Sequence, residues 1–158
     1  MKKYLESMYA YDHAASTKMM DLLADLPNEV LEADRKSHYK SLKGLTLHTV
    51  QGHMFFNNMF KTQLGDVAAV LKHYDNTQEL TYESCLSHLE EMYSSMSAFI
   101  AQLTLEQLEA DMDFFGQSKT VMSMLLILFN HSVHHRGQVS QVLDELGIEH
   151  DWAMLYKG

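Results

Sequence analysis

Ten histidines occur in this chain of 158 residues, and three of them fall on apolar helical stripes. His131 and His135 are four residues apart, so on a helix they project about 40° from each other, one turn apart on one face. Two imidazoles so placed can grip one metal ion. His48, on a second stripe, can complete a three-histidine set that leaves coordination positions open, as catalytic zinc sites do. A neutral imidazole binds metal without bringing charge of its own into a core. Taken singly, each has a plainer reading, since a histidine on an apolar face is usually a packed residue hydrogen-bonded nearby. Their coincidence on two stripes favours the ligand reading. His134 is an alternative to His135; His135 is preferred because it continues the stripe between Leu128 and Val139.

Spacing excludes several other metal chemistries. A di-iron carboxylate bundle needs Glu-x-x-His, and no histidine here has Glu three residues before it. No histidine has Asp or Glu four residues after it, which removes the hemerythrin pattern. A His-Glu-x-x-His protease helix is ruled out by Ser132, and covalent haem by the single cysteine.

Four amphipathic patterns must position these side chains. The first runs from about Lys3 to Leu26, with a stripe of Tyr4, Met8, Tyr11, Ala15, Met19, Leu22 and Leu26, and Pro27 ends it. The second runs from about Tyr39 to Phe60, through Leu42, Leu45, His48, Gly52, Phe55 or Phe56, and Met59. The third spans about Thr81 to Leu103, started by Thr81 or Thr77, with Cys85 packed in the core. The fourth spans about Ser118 to Leu146, with Ser118 as N-cap and Gly147 at the C-terminal cap. Together they predict an all-α fold, an up-down type four-helix bundle, in a single domain over residues 1–158. The longer connection between helices 2 and 3, Lys61 to Leu80, has room for a short helix or a crossover. The tail, with Trp152, Met154 and Tyr156, is expected to dock on the bundle.

Composition bounds the partners. Seven glycines and one proline are too few for a turn-rich β fold, and 46% hydrophobic against 21% charged residues is ordinary globular usage. A net charge of −9 repels phosphate backbones, so nucleic acid is not expected as a partner. The longest apolar run, Val121 to Phe129, has nine residues, against the roughly 20 a membrane span needs. One cysteine, and no apolar run after Lys2 and Lys3, point to a reducing cytoplasm. Twelve methionines exceed what one small bundle obviously needs, and a homodimer is expected.

The run Leu128-Phe129-Asn130-His131-Ser132-Val133-His134-His135-Arg136-Gly137-Gln138-Val139 resembles the last-helix signature of the DinB/YfiT-like metalloenzyme family, Asn-His-x-x-x-His-Arg-Gly-Gln. Tyr11-Asp12-His13-Ala14 is similar to that family's opening, and His48 within Leu45–Val50 falls where its first metal histidine lies. Leu146-Gly147 and the tail through Tyr156 fit its usual ending. The resemblance implies a four-helix bundle in which His48, His131 and His135 hold one divalent ion: zinc, nickel or iron. It also implies a small-molecule substrate and chemistry dependent on a low-molecular-weight thiol of the bacillithiol or mycothiol kind. The family name reflects DNA-damage induction of a founding gene, hence a link to stress response.

The chain departs from the family pattern at His53, where an acidic residue is expected. Five positions after His48 it points about 140° away, so it is expected at the surface or beside the site rather than on the metal. Phe56 replaces a common Trp. Arg136 is expected to tie helices together by a salt bridge, Gly137 to admit another helix closely, and Gln138 to orient a ligand or pack as a polar residue. The reading leans to an enzyme, a thiol-dependent transferase. Metal-dependent hydrolysis and a noncatalytic metal- or ligand-binding stress protein are the alternatives.

Overall fold

The computed structural model describes residues 2–75 and 80–152. Helix α1 covers Lys2–Ala24, a short α2 Asn28–Glu32, α3 Leu42–Leu64, α4 Tyr82–Gln102, a short α5 Leu105–Glu109 and α6 Val121–Glu145. A 3₁₀ turn, Gly65–Ala68, extends α3, and strands β1 (Asp111–Phe114) and β2 (Gln117–Thr120) form a hairpin before α6. None of the helices is long and apolar enough to cross a membrane.

The four long helices form the expected bundle. Helices α1 and α3 each pack against both α4 and α6, so α1 faces α3 across one diagonal and α4 faces α6 across the other. The connections that pass across the bundle are therefore those from α1 to α3 and from α4 to α6. The long connection from α3 to α4, expected to hold the crossover, joins neighbours. It is pinned by Asn58, whose side-chain amide donates to the Tyr74 carbonyl (2.8 Å) and accepts from the Tyr74 amide (2.7 Å). Thr77, a candidate start for the third helix, and Met154 and Tyr156 of the tail lie outside the described residues. Trp152 is buried, and its carbonyl accepts from the Tyr11 hydroxyl at 3.0 Å, so the tail docks up to that point.

Helix starts are set by hydroxyl caps. Ser41, Thr81, Thr104 and Thr120 each accept from the backbone amide three residues on, a contact worth about 1 kcal/mol. Ser41 places the start of α3 at Leu42, so Tyr39 and Lys40 lie in the preceding loop rather than on the helix. Thr120, not Ser118, caps α6. Residues 117–120 are held in the hairpin instead, and Ser118 donates to the Asp111 carboxylate at 2.8 Å. The hairpin turns through Phe115 (φ 53°) and Gly116 (φ 79°) between the paired Phe114 and Gln117. Two positive φ values match the twist of a two-residue hairpin, usually through Asn-Gly or Asp-Gly. With Phe in the first position, the turn carries little sequence signal.

On the third helix the stripe Tyr82, Cys85, Leu89, Met92, Met96, Phe99 and Leu103 is buried except for a half-buried Tyr82. The first stripe falls inside only in part, with Ala15 and Met19 buried and Tyr11, Leu22 and Leu26 half-buried against the core. The buried face of α1 is Leu5, Tyr9, Asp12, Ala15, Ser16, Met19, Met20 and Leu23, while Tyr4 is exposed. Asp12 and Ser16 sit in the middle of that face, so a search for apolar spacing slides onto its neighbour. Helix α3 shows the same displacement, its buried face including Thr46, Thr49, His53 and Asn57.

Candidate metal centre

Helix α3 supplies His48, and the adjacent α6 supplies His131 and His135 from successive turns. Their ligand atoms all lie within 4.8 Å of one another. His131 Nε2 is 3.3 Å from His48 Nε2 and 3.2 Å from His135 Nε2. A tetrahedral ion with Zn–N bonds near 2.0–2.1 Å requires nitrogen–nitrogen edges of about 3.3–3.4 Å. Two of the three edges, brought together from two helices, therefore match such a coordination shell, and the third lies within 4.8 Å.

Gly52 makes this approach possible. A Cβ built on Gly52 would meet His131 Cε1 at 2.3 Å and both ring nitrogens at 3.0 Å. The close approach expected at Gly137 is absent, since a Cβ there would meet nothing within 4 Å. The contact sits on the opposite helix, at a glycine that reads only as one more position of the α3 stripe.

Hydrogen bonding sets which nitrogen faces the centre. The Gln138 carbonyl oxygen accepts from His135 Nδ1 at 2.7 Å, which leaves the Nε2 lone pair directed inward. His131 Nδ1 is buried without a partner among the described residues. Tyr39 stacks on His48 at 4.2 Å between centroids and meets His135 edge-on at 5.4 Å. His134 is exposed and touches only the edge of His135; it does not join the converging group.

Protonation favours metal over acid–base use. Burial is the first cause holding all three imidazoles below the ordinary histidine range, and neighbouring imidazoles add to it. For His131 the value falls to about 3. At neutral pH the rings are uncharged, with lone pairs available. Facing lone pairs at such distances, one ring fixed by a glutamine and one with an orphaned nitrogen, form a donor set that fits a divalent ion. No carboxylate belongs to the group among the described residues.

A second polar cluster lies beside it, and sequence reasoning found only part of it. Arg136 forms the expected interhelix salt bridge, to Asp12 on α1, and both side chains are buried. Arg136 also donates to Ser16 Oγ at 2.8 Å, Ser16 lies 2.8 Å from the Tyr93 hydroxyl, and that hydroxyl donates to Asp12 at 2.8 Å. His53, expected at the surface or beside the site, lies beside it and is buried. Its Nε2 lies 2.9 Å from Ser132 Oγ and 3.5 Å from the Tyr93 hydroxyl. Burial, then the Arg136 charge, lower its pKa to about 3. The usable signal for this cluster was polar spacing, Asp12 to Ser16 and Ser132 to Arg136, at one helical turn.

The lone cysteine is no part of either cluster. Cys85 is buried, its Sγ lies 3.4 Å from the Thr81 carbonyl, and burial pushes its pKa up to about 11.

The DinB family model matches residues 1–156. Among curated proteins, the chain is 29% identical to the Bacillus subtilis (strain 168) "Uncharacterized protein YjoA" over 135 residues, covering 78% of this chain and 83% of that one. It is 22% identical to "Protein DinB" of the same organism over 157 residues, covering 93% and 88%. Among solved structures, a DinB-like protein from Bacillus cereus ATCC 10987 superposes with a TM-score of 0.66 at 20% identity, over 89% of both chains. The DinB-like YjoA structure from Bacillus subtilis superposes at 0.68 with 18% identity, over 93% and 94%.

Proposed function

The chain belongs to the DinB family, and on that premise we propose that it is a metal-dependent enzyme whose His48, His131 and His135 hold one divalent ion for thiol-dependent group transfer. The observation that carries the reading is the convergence of three neutral imidazole nitrogens, 3.2 and 3.3 Å apart along two edges. Imidazole ligation suits zinc, nickel or iron. A bound ion would supply a positive centre that lowers the pKa of a thiol from about 8.5 toward neutrality.

The protein's own part is to orient and to exclude. Gln138 fixes the tautomer of His135, Tyr39 holds the plane of His48, and burial keeps all three rings unprotonated. In the transfer the thiol proton passes to solvent water, the sulfur forms the bond to an electrophilic carbon, and the leaving group departs with its electron pair and is protonated by solvent. The thiol must come from outside, because a cysteine buried on α4 with a pKa near 11 is no nucleophile.

Hydrolysis is the weaker reading on a specific ground. Activating water toward an unactivated amide needs a base close by, and the converging group contains only imidazoles. Asp12, a buried carboxylate of the neighbouring cluster, is occupied by Arg136 and Tyr93.

Elemental analysis of the purified chain should find about one divalent ion per chain, lost in His48→Ala. The metal-loaded protein should conjugate a small electrophile only with added thiol and only with all three histidines present. Activity without thiol, or unchanged in His135→Ala, overturns transfer. Bound metal without turnover across a panel of electrophiles leaves a noncatalytic metal-binding role.

The proposal includes a homodimer, on ground other than methionine surplus. Met19, Met20, Met54, Met92, Met96, Met112 and Met124 are all packed in the monomer core. What remains is exposed aromatic surface, Tyr4 and Phe115 at 75% and 78% accessible. Sedimentation giving an 18.2 kDa species at tens of micromolar would refute it.

A further inference from the structure

Beside the imidazole cluster a cavity of about 220 Å³ runs between the loop that precedes α3 and the C-terminal half of α6. Two of its lining residues, Tyr39 and Gln138, are the same side chains that touch His48 and His135. The cavity is therefore separated from the rings by these two side chains, which contact both. It extends along α6 from Gln138 through Gln141 to Glu145, about two helical turns. A larger cavity of about 630 Å³, by Lys18, Leu22 and Trp152, is lined neither by the three imidazoles nor by Tyr39 or Gln138.

The permanent cation of the smaller cavity is Arg35. Its guanidinium spends one donor on the Val30 carbonyl at 3.2 Å, and its Nε is buried without a partner among the described residues. No carboxylate among the described residues lies in salt-bridge range of it. Arginine is the side chain whose planar fork matches a carboxylate, and Arg35 lines the cavity with no carboxylate partner among the described residues. The loop that presents it is held in an unusual shape. Lys36 and Lys40 both have positive φ, 56° and 64°, a conformation non-glycine residues rarely adopt. Asp34 stabilises the first, accepting from the Lys36 amide at 2.9 Å and from its ammonium at 2.7 Å. The Lys40 carbonyl accepts from the Arg35 amide and fastens the two ends of the loop together. The opposing acid, Glu145, stands at the end of α6 and accepts from Gln141 at 3.3 Å.

We infer that the cavity bounded by Arg35, Tyr39 and Gln138 binds the carboxylate of a small thiol acid whose sulfur lies at the three-imidazole centre. The inference rests on the metal-dependent reading above and names the class of thiol that reading leaves open. With an ion held by the three imidazoles, a thiol acid would meet the ion with its sulfur and Arg35 with its carboxylate, and a neutral thiol would meet only the ion.

The test uses the full chain loaded with cobalt(II), whose visible spectrum reports ligands reaching the ion. N-acetylcysteine and mercaptosuccinate are titrated against 2-mercaptoethanol, which has no carboxylate, and cysteamine, which carries an amine. The carboxylated thiols should bind roughly tenfold or more tighter than 2-mercaptoethanol, as expected for a charge-assisted contact. Arg35→Gln should abolish that preference and leave the 2-mercaptoethanol affinity unchanged, which also shows that the variant is folded. Arg35→Lys should keep part of it, and Glu145→Gln, which removes an opposing charge, should increase it. Equal preference in Arg35→Gln and the parent, or no preference in the parent, overturns the inference while the metal reading stands. A chain that takes up no cobalt overturns the metal reading first, and the inference with it.

Discussion

Two polar islands sit side by side in the apolar core, and both draw on α3 and α6. The one built on Asp12, Ser16, His53, Tyr93, Ser132 and Arg136 is closed: the side-chain hydrogen bonds of its members run to one another or to backbone. The one built on His48, His131 and His135 is open: three ring nitrogens converge, another ring nitrogen has no partner among the described residues, and a cavity lies beside it. The closed island consumes its polarity in holding α1, α3, α4 and α6 together. The open one keeps its polarity for something from outside. Burial of polar groups is therefore not a functional signal by itself; incomplete satisfaction next to a cavity is.

The largest effect is expected in the closed island. Arg136→Met leaves the Asp12 carboxylate buried without its cation, a change that costs about 3–5 kcal/mol. That is a large part of the roughly 5–15 kcal/mol of a whole domain. Urea unfolding should show it, and Asp12→Leu together with Arg136→Met should return most of the loss. If Arg136→Met unfolds at the parent's midpoint, the island is not the structural clamp its geometry describes.

The open island should respond to metal instead. Zinc at a free concentration a hundred times its Kd should stabilise the parent by about 2.7 kcal/mol, because only the folded chain brings the three rings together. His135→Ala should lose that gain in a thermal melt. Gln138→Ala should weaken metal binding about 10–100-fold through loss of the fixed tautomer. Gly52→Ala should weaken it as well, by driving His131 from its position. A thermal shift by zinc that survives in His135→Ala would break the contrast between the islands.

Acid should discriminate next. His53 has a folded pKa of about 3 against about 6.5 unfolded, so between those values the unfolded chain holds the extra proton. Stability is therefore greatest above pH 6.5 and falls as pH falls. His53 alone removes about 2 kcal/mol between pH 7 and pH 5. His131, His48 and His135 act in the same direction, more weakly per group because water reaches part of each ring. Denaturation midpoints from pH 7 to pH 5 should decline, and the decline should be shallower in His53→Gln.

What could be read from the sequence divides along the same line. The open island was legible because its residues interrupt apolar stripes at metal-ligand spacing, and because His131 through Gln138 form a continuous motif on one helix. The closed island was mostly illegible because its residues come from four helices and are the polar members of buried faces. Apolar periodicity passed over Asp12 and Ser16 and caught only one edge of the buried face of α1, Ala15 and Met19, although Arg136 was read correctly as an interhelix ion pair. His53 was read as surface or beside the site, and the second holds: the angle measured from His48 says where the ring points, but not that Tyr93 and Ser132 wait there to bury it. The hairpin before α6 was missed because its turn puts Phe115 where Asn or Asp would have announced it.

The smallest expected effect lies at the seam between the islands. Gly137 follows Arg136 of the closed one and precedes Gln138 of the open one, in the middle of α6 and exposed. Glycine inside a helix is less stable than alanine by about 0.5–1 kcal/mol, through backbone freedom lost on folding. At Gly52 that cost has a return, because a methyl group there would collide with His131. At Gly137 a methyl group meets nothing within 4 Å. Gly137→Ala should therefore stabilise the chain by about 0.5–1 kcal/mol in urea or thermal unfolding, with metal affinity and the Arg136 clamp unchanged. If metal affinity falls instead, Gly137 serves the open island by letting α6 adjust between its two halves, and the separation of the two islands is less complete than their hydrogen bonds indicate.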